Sequence, residues 1–196
     1  MNEQNEKIAE VIEAATAQYT AQCYELYPSP GGPGLGSLVR TGEIYGIVAG
    51  AGTTSLEPGR RPIARGRDEL TEEAVYESSP QLTRLLRSEI TVLVAGHRDG
   101  QTIRHYLPPQ PARIHGFVYL CQADEVREFG KSFGFLTILL NAVVEVSGEE
   151  LVAAALRNLA QAQDDPRSYL VTAGKELAAL LSSDFIRLKT ILGRLR

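Results

Sequence analysis

The stretch from Leu35 to Asp124 constrains the fold of this 196-residue chain more than any other part of it. It opens with LGSLVRTGEIYGIVAGAG and closes with ITVLVAGHRDGQTIRHYLPPQPARIHGFVYLCQAD. Both ends are rich in β-branched residues and are punctuated by glycine, which is typical of short, strongly bent antiparallel strands joined by tight turns. We therefore predict an antiparallel β-domain at residues 35–124, and helices or linker elsewhere.

Within this β-domain, the clearest local signal is a hairpin around the pair Asp99-Gly100, because these residue types accept the positive φ values of a two-residue turn. In that register Arg98 pairs with Gln101, and His97 faces Thr102. Gly46 and Gly116 interrupt strand patterns and indicate bulges or sharp bends, which small barrels need at their corners. The predicted strands are Leu35–Arg40, Ile44–Ala49, Ile90–Ala95, Thr102–Tyr106 and Arg113–Cys121.

Helical spacing dominates outside the β-domain. We predict an amphipathic N-terminal helix at residues 1–27, followed by a Pro/Gly linker at 28–34 and a helical domain at 125–196. A short helix is also predicted at Ser79–Arg87, with Ser79 as its N-cap. The apolar stripe of the N-terminal helix recurs every three or four residues and comprises Ile8, Val11, Ile12, Ala15, Tyr19, Cys23 and Leu26. The first predicted C-terminal helix begins after Asp124 and is in one piece, or in two pieces broken near Gly130 or Gly134. The others are Glu149–Gln163, Ser168–Leu181 and Asp184–Leu195.

Charge and cysteine usage point to a cytoplasmic protein. The net charge of −4 argues against a polyanion-binding protein as a whole, although local basic patches are compatible with it. Cys23 and Cys121 lie far apart without metal-type spacing, which suits a reducing compartment. The N-terminus lacks the basic start and apolar core of a signal peptide. The apolar run Phe133–Val146 is shorter than the roughly twenty residues that span a bilayer, so we predict a buried helix.

One basic cluster, Arg60-Arg61-Pro-Ile-Ala-Arg-Gly-Arg67, has two interpretations. Its arginines could form a patch for phosphate groups or for an acidic partner, since a guanidinium binds both bidentately. Alternatively, they pair with the acids that follow and leave a nearly neutral, solvated loop. Those acids are Asp68, Glu69, Glu72, Glu73 and Glu77.

No set of residues with a catalytic or cofactor pattern emerges, so we predict no enzyme, no cofactor and no metal. His97, His105 and His115 lack ligand spacing and are expected to be exposed or locally bonded. The glycines of the 28–34 linker follow a helix instead of a strand, and Gly46–Thr54 has no lysine before its threonine; neither fits a phosphate-binding loop. Tyr45, Tyr106 and Tyr119 could form a base-stacking platform, but half-buried packing is the more common role of strand tyrosines.

Three motifs resemble the HAS-barrel domain, which is shared by HerA-type DNA translocases and, more distantly, by the N-terminal domains of ATP synthase α and β subunits. They are Leu35-Gly-Ser-Leu-Val-Arg-Thr-Gly-Glu-Ile-Tyr-Gly-Ile-Val48, Arg61-Pro-Ile and Leu107-Pro-Pro-Gln-Pro…Gly116-Phe-Val118. The resemblance implies a small closed antiparallel β-barrel within an α+β fold. The family's motor domain, with its nucleotide-binding elements, does not follow in this sequence; helices do. ATP hydrolysis and DNA pumping are therefore not implied, whereas subunit contact and docking on a ring are.

Three functional hypotheses follow. The first is a non-enzymatic assembly or adaptor protein that binds itself or a larger complex, such as a ring ATPase. The second is a nucleic-acid-associated barrel that assists DNA processing. The third is an enzyme with an unrecognised pocket built from His97, His105, Asp99 or Asp124. We expect the first, and the candidate partner-binding residues are Arg60, Arg61, Arg65, Arg67, Phe133 and Phe135.

Overall fold

The chain has an α+β fold, seen here in a computed structural model that describes residues 7–29, 31–57, 59 and 61–195. Within these ranges, seven strands precede or interleave with seven helices. The strands are β1 Lys7–Ala14, β2 Gln18–Cys23, β3 Leu38–Thr41, β4 Ile44–Ser55, β5 Leu86–Asp99, β6 Thr102–Arg104 and β7 Phe117–Leu120. The helices are α1 Glu72–Ser78, α2 Leu82–Leu85, α3 Ala123–Phe129, α4 Phe135–Leu140, α5 Gly148–Gln161, α6 Pro166–Leu180 and α7 Phe185–Gly193.

The described strands form one antiparallel sheet whose order returns on itself. The order is β2-β1-β7-β3-β4-β5-β6, and β2 also pairs with β5. Six strands therefore make a ring of pairings, and β6 is attached to it through β5 alone. The closing contact between β2 and β5 runs from Gln18 opposite Leu93 to Gln22 opposite Glu89. Closure leaves few free strand edges, which in an open sheet would invite pairing with other chains.

The predicted N-terminal helix is wrong, because residues 7–23 form the β1–β2 hairpin. The alternate residues Ala9 and Val11, and then Tyr19 and Ala21, are buried, which is the two-residue period of a strand. β1 pairs with β2 on one side and with β7 on the other. These pairings supply the backbone hydrogen bonds and the apolar burial that favour a strand over a helix here. The segment therefore belongs to the same sheet as the predicted β-domain.

Two apolar cores lie on opposite faces of the ring. Alternation along β4 and β5 divides the buried side chains between them: Val48 and Val92 contribute to one core, and Ile47 and Leu93 to the other. The first core lies inside the ring, and its largest member is Tyr19. The second lies between the outer face of β3, β4 and β5 and the C-terminal helices. The helices thus cover one outer side of the ring. Apolar side chains from the strands themselves fill its inside.

The bulges and the hairpin are confirmed with one correction. The register of β4 on β5 shifts next to Gly46 and again before Gly50, as the glycine pattern indicates. In the β5–β6 hairpin, however, Asp99 pairs with Thr102. The turn is therefore Gly100-Gln101, one residue later than predicted, with Gly100 at a φ of 59°. Because of this slip, His97 lies opposite Arg104 and not opposite Thr102.

The predicted C-terminal helices are confirmed, and their caps explain where they begin. The apolar segment is split into α3 and α4 between Gly130 and Gly134. Ser147, Asp165 and Asp184 each accept a hydrogen bond from a backbone amide of the first turn of α5, α6 and α7, respectively. The short helix predicted at Ser79–Arg87 is confirmed only as α2, because β5 already begins at Leu86. Ser79 is not its N-cap as predicted: the helix starts later, with Gln81 at that position, and Ser79 ends α1.

Two ion pairs fasten α3 to the ring. The Arg40 Nε atom of β3 lies 2.8 Å from Glu125 Oε1. On β5, Arg98 donates to both carboxylate oxygens of Glu128, at 3.2 and 3.1 Å, and to Tyr45 Oη at 2.7 Å. The hydrogen bonds to Glu128 raise the pKa of Arg98 above its ordinary value, and the hydrogen bond to Tyr45 contributes in the same direction. The two glutamates are three residues apart, so one face of α3 carries both contacts.

Candidate docking arm

The β4–β5 pair continues beyond the ring as a structure that we call the arm, residues 50–88. From Gly50 to Ser55, β4 pairs with β5 alone, because its pairing with β3 ends at Ile47. The pairing of β5 with β2 ends at Glu89, so residues 86–88 have only β4 as a strand partner. The loop between the two strands contains α1 and α2. A two-stranded ribbon is marginally stable by itself, so the arm depends on what it packs against.

Hydrogen bonds of a buried serine, Ser88, anchor the base of the arm. Ser88 is fully buried, and its Oγ atom accepts a 2.6 Å hydrogen bond from the backbone amide of Tyr27. The same Oγ atom lies 2.6 Å from Thr53 Oγ1 on the facing strand. At the far end, the Leu56 amide donates to the Leu85 carbonyl at 2.9 Å. The ribbon is thus held at both ends, while the loop between them carries the exposed groups.

Large apolar side chains are exposed along the arm. Leu70 is 99% exposed and Ile63 is 74% exposed, and Leu56 and Tyr76 are each exposed by more than two-fifths. Isolated exposed apolar residues are ordinary, but several of them on one small element indicate an interaction surface. Leu70 and Tyr76 were not among the residues predicted from sequence to bind a partner. The available signal was a lone leucine within the charged run Arg67–Glu73.

Three arginines of the predicted cluster have no direct partner among the described residues. Arg61, Arg65 and Arg67 are exposed, and none of them forms a hydrogen bond or an ion pair within the ranges that the structure describes. The direct ion pairs with Asp68 and its neighbours that the alternative interpretation expects are therefore not present for these three within the described ranges, although the acids lie close in sequence. Arg60, the fourth arginine of the predicted site, lies outside the described residues. Three cationic groups thus remain available to an external partner.

A cleft of about 300 Å³ lies on the arm beside two of these arginines. Its apolar lining comes from Leu82, Leu85 and Leu86, all half-buried, together with Pro62 and Ile63. Arg61 and Arg65 also line it. Glu57 is a further lining residue, and it already has an interaction of its own. The arm therefore places an apolar surface directly beside two exposed guanidinium groups.

The two phenylalanines of the predicted partner site lie elsewhere. Phe135 is fully buried in the helical core, with its ring 5.1 Å from Phe129 and 5.3 Å from His105. Phe133 is half-buried and packs on Tyr169 at 5.2 Å. Phe135 therefore has no surface to offer a partner. Leu136, Leu139 and Leu140 of the same apolar run are also buried, but the helix ends at Leu140 and Val143 is 96% exposed, so the buried helix predicted at 133–146 is confirmed only in its first half.

The histidines do not converge. Nδ1 of His97 lies 3.2 Å from the Tyr106 carbonyl oxygen, and Nδ1 of His115 lies 2.6 Å from Glu10 Oε1. His105 packs on Phe129, with its Nδ1 atom 3.1 Å from Ser132 Oγ, and its burial lowers its pKa. Across the described ranges, no group of three or more His, Cys, Asp or Glu residues is arranged to hold a metal ion.

The tyrosines and cysteines also fail to form a common site. Tyr45 is fully buried, whereas Tyr106 lies beyond the end of β6 and is 57% exposed, so the three tyrosines predicted on strands do not share one exposed platform. Cys23 is half-buried and Cys121 is buried, and both are free thiols. Burial raises the pKa of Cys23 to about 11 and raises that of Cys121 further. Both thiols are therefore protonated near neutral pH and poor nucleophiles.

Comparison with known proteins returned no match to any protein-family model and none to a curated protein. In the part of the chain that the structure describes, none of the helices combines the length and the apolar character needed to cross a bilayer.

Proposed function

We propose that this chain is a non-enzymatic docking protein: a HAS-type β-barrel whose helices occupy the place of the family's motor domain. The ring of strand pairings supports this proposal. So does the position of the motifs, because Leu35–Val48 contains the β3–β4 pair and Gly116-Phe-Val118 leads into β7. The partner is another protein or a second copy of this chain, and a ring ATPase is the partner class that the resemblance suggests.

The observation that carries the proposal is the arm. It projects beyond the ring, it exposes Leu70 almost completely, and it carries three arginines without partners among the described residues. An ordered arm has lost conformational entropy, and its apolar surface remains in contact with water unless a partner covers it. Binding of a partner would remove that surface from water. The N-terminal segment adds no unpartnered helix to this surface, because it is a strand pair within the sheet. The apolar run 133–146 forms a helix only at Phe135–Leu140, and its buried members belong to the helical core.

Affinity capture with paired variants tests the proposal. The full chain and its Ile63→Asp/Leu70→Asp variant would each be immobilised and exposed to lysate of the source organism. The protein recovered by the wild type alone would then be purified and its affinity for both forms measured. We expect binding to the wild type and a loss of about tenfold or more for the variant, because two exposed apolar contacts become charged. Val143→Asp is the matched control, since Val143 is 96% exposed but lies outside the arm.

The proposal is contradicted if no protein binds the wild type in a purified system, or if the arm variant binds as tightly as the wild type. Light scattering at several protein concentrations separates the two kinds of partner. A second copy as partner predicts a dimer or larger assembly that the arm variant loses.

The unpaired arginines also favour the alternative, a nucleic-acid-associated barrel. On that hypothesis, Arg61, Arg65 and Arg67 contact phosphates, and binding weakens steeply as salt rises. Fluorescence anisotropy with a labelled single-stranded 30-mer oligonucleotide at low and moderate salt tests this directly. Binding at low salt that disappears in Arg61→Ala/Arg65→Ala/Arg67→Ala would support the alternative, and absence of binding at low salt would end it.

A further inference from the structure

We propose that the cleft on the arm binds an extended protein segment in which one apolar side chain is flanked by carboxylates. This inference rests on the proposed docking function and names the chemistry of the partner. The floor of the cleft is the half-buried surface of Leu82, Leu85 and Leu86. A volume of about 300 Å³ is at the lower end of the range of ligand pockets, and it suits a single inserted side chain.

Charge decides what flanks that side chain. Arg61 and Arg65 line the cleft and have no ion pair with any described residue. Two guanidinium groups beside an apolar pocket match carboxylates next to an apolar anchor, because each can bind a carboxylate through two parallel hydrogen bonds. Acids follow these arginines in the sequence, so the loop as a whole is not basic, and the positive charge is local to the cleft. Glu57, the acidic residue among the described lining residues, already has an interaction of its own. A short segment whose carboxylates reach Arg61 and Arg65 is therefore attracted here.

The open edge of β4 indicates an extended conformation for the bound segment. From Ala51 to Thr54, β4 has β5 on one side and no described strand on the other. These four residues are exposed, and the strand ends at Ser55, which lines the cleft. A segment that added to this edge would satisfy its own backbone hydrogen bonds while delivering a side chain to the cleft.

Nucleic acid fits this cleft less well than an acidic peptide. The lining is aliphatic, and no aromatic ring is among its described residues, whereas single-strand binding depends on aromatic stacking of bases. The acids that follow the arginines are exposed or half-buried on the same arm, and they disfavour a long, continuously charged phosphate backbone more than a short segment whose carboxylates contact Arg61 and Arg65 alone. They are Asp68, Glu69, Glu72, Glu73 and Glu77.

The test is selection from a phage-displayed library of random 12-residue peptides against the full chain. We expect enrichment of sequences in which Leu, Ile, Met or Phe is flanked by at least two Asp or Glu. One enriched peptide would be synthesised and its affinity measured against Arg61→Glu/Arg65→Glu, with circular dichroism to verify folding. We expect a loss of about tenfold or more, since both attractions become repulsions. Arg167→Glu/Lys175→Glu, an equal charge reversal on exposed residues of α6, should leave the affinity unchanged.

Three outcomes would overturn the inference: no enrichment, enriched peptides without acidic flanks, or binding that survives the reversal of Arg61 and Arg65. The inference would also be overturned if the labelled 30-mer oligonucleotide bound to the chain while the selection yielded no acidic peptide. The design separates this inference from the broader proposal. If Ile63→Asp/Leu70→Asp abolishes protein capture while Arg61→Glu/Arg65→Glu does not, the arm docks a partner but the acidic-segment inference is wrong.

Discussion

At the scale of single residues, Gly36 determines how closely the ring approaches α5. Its φ is +82°, and a side chain there would overlap the α5 backbone at Ala154 and Ala155. Two constraints therefore fall on one position, since a left-handed conformation disfavours any side chain and the close contact excludes one. Gly42, with a φ of +55°, shares the first constraint only, because open space surrounds it. The pair separates backbone strain from packing.

We expect Gly36→Ala to lower the free energy of unfolding by about 2–5 kcal/mol, and Gly42→Ala by about 1–2 kcal/mol. The smaller figure is the cost of a left-handed conformation for an L-residue, and overpacking against α5 adds about 1–3 kcal/mol. Urea denaturation of both variants measures the difference. Equal losses would show that α5 does not pack against this turn.

His105 makes stability depend on pH in a predictable direction. Burial lowers the pKa of His105, so the unfolded chain takes up a proton at a higher pH than the folded chain does. The free energy of unfolding should therefore fall as the pH drops below about 6.5, the pKa of an unperturbed histidine, and continue to fall until the folded-state pKa is reached.

Urea denaturation at pH 7.5 and at pH 5.5 tests this expectation in the wild type and in His105→Gln. We expect the wild type to lose up to about 1 kcal/mol more than the variant between these two pH values, since one proton is linked to unfolding over about one pH unit. The same loss in both proteins would place His105 in water and contradict its packing between Phe129 and Phe135.

At the scale of elements, β1 shows where sequence patterns mislead. Its apolar residues satisfy a helical stripe that includes both Val11 and Ile12, yet alternation at Ala9 and Val11 satisfies a strand equally well. Local pattern could not decide between the two, because the deciding contacts come from β2 and from the distant β7. The C-terminal helices were predictable because Ser147, Asp165 and Asp184 mark their starts locally.

Adjacent substitutions in β1 distinguish a strand from a helix. Val11 is fully buried and Ile12 is 39% exposed, whereas one helical face would treat the two alike. We expect Val11→Asp to cost about 3 kcal/mol or more, because a charge enters the interior of the ring without a partner. Ile12→Asp should cost less than about 1 kcal/mol. Thermal unfolding of both variants is sufficient, and similar large losses for the two would contradict the strand.

The arm should be the less protected part of the β4–β5 pair. Residues 91–93 of β5 lie between β4 and β2, whereas residues 86–88 have β4 alone. We therefore expect amide hydrogens at 51–55 and 86–88 to exchange faster than those at 45–48 and 91–94, since local opening of a two-stranded ribbon requires less free energy. Hydrogen exchange followed by mass spectrometry resolves these segments. Uniform protection along both strands would contradict the arm as a separate, weakly supported element.

At the scale of the whole molecule, the α+β class and most of the C-terminal helices follow from composition, period and caps. The return of the strand order on itself does not, because β2 meets β5 across about seventy residues of chain. The proposed docking surface was predictable only in part. The arginine cluster is visible in sequence, but its lack of ion pairs and the exposure of Leu70 depend on how the loop lies on the ribbon. Phe135 was wrongly predicted to bind a partner because the sequence of an apolar run does not indicate which of its residues are buried in the core.

We propose that the arm is where this protein meets its partner. The most direct test of this proposal is site-specific photocrosslinking in cells of the source organism, with a photoreactive phenylalanine analogue replacing Leu70 or, as the control, Val143. The two positions are 99% and 96% exposed, so they sample solvent equally well in the isolated chain. We predict a discrete crosslinked protein from position 70 and none from position 143. Crosslinking at neither position, or the same products at both, would contradict the claim.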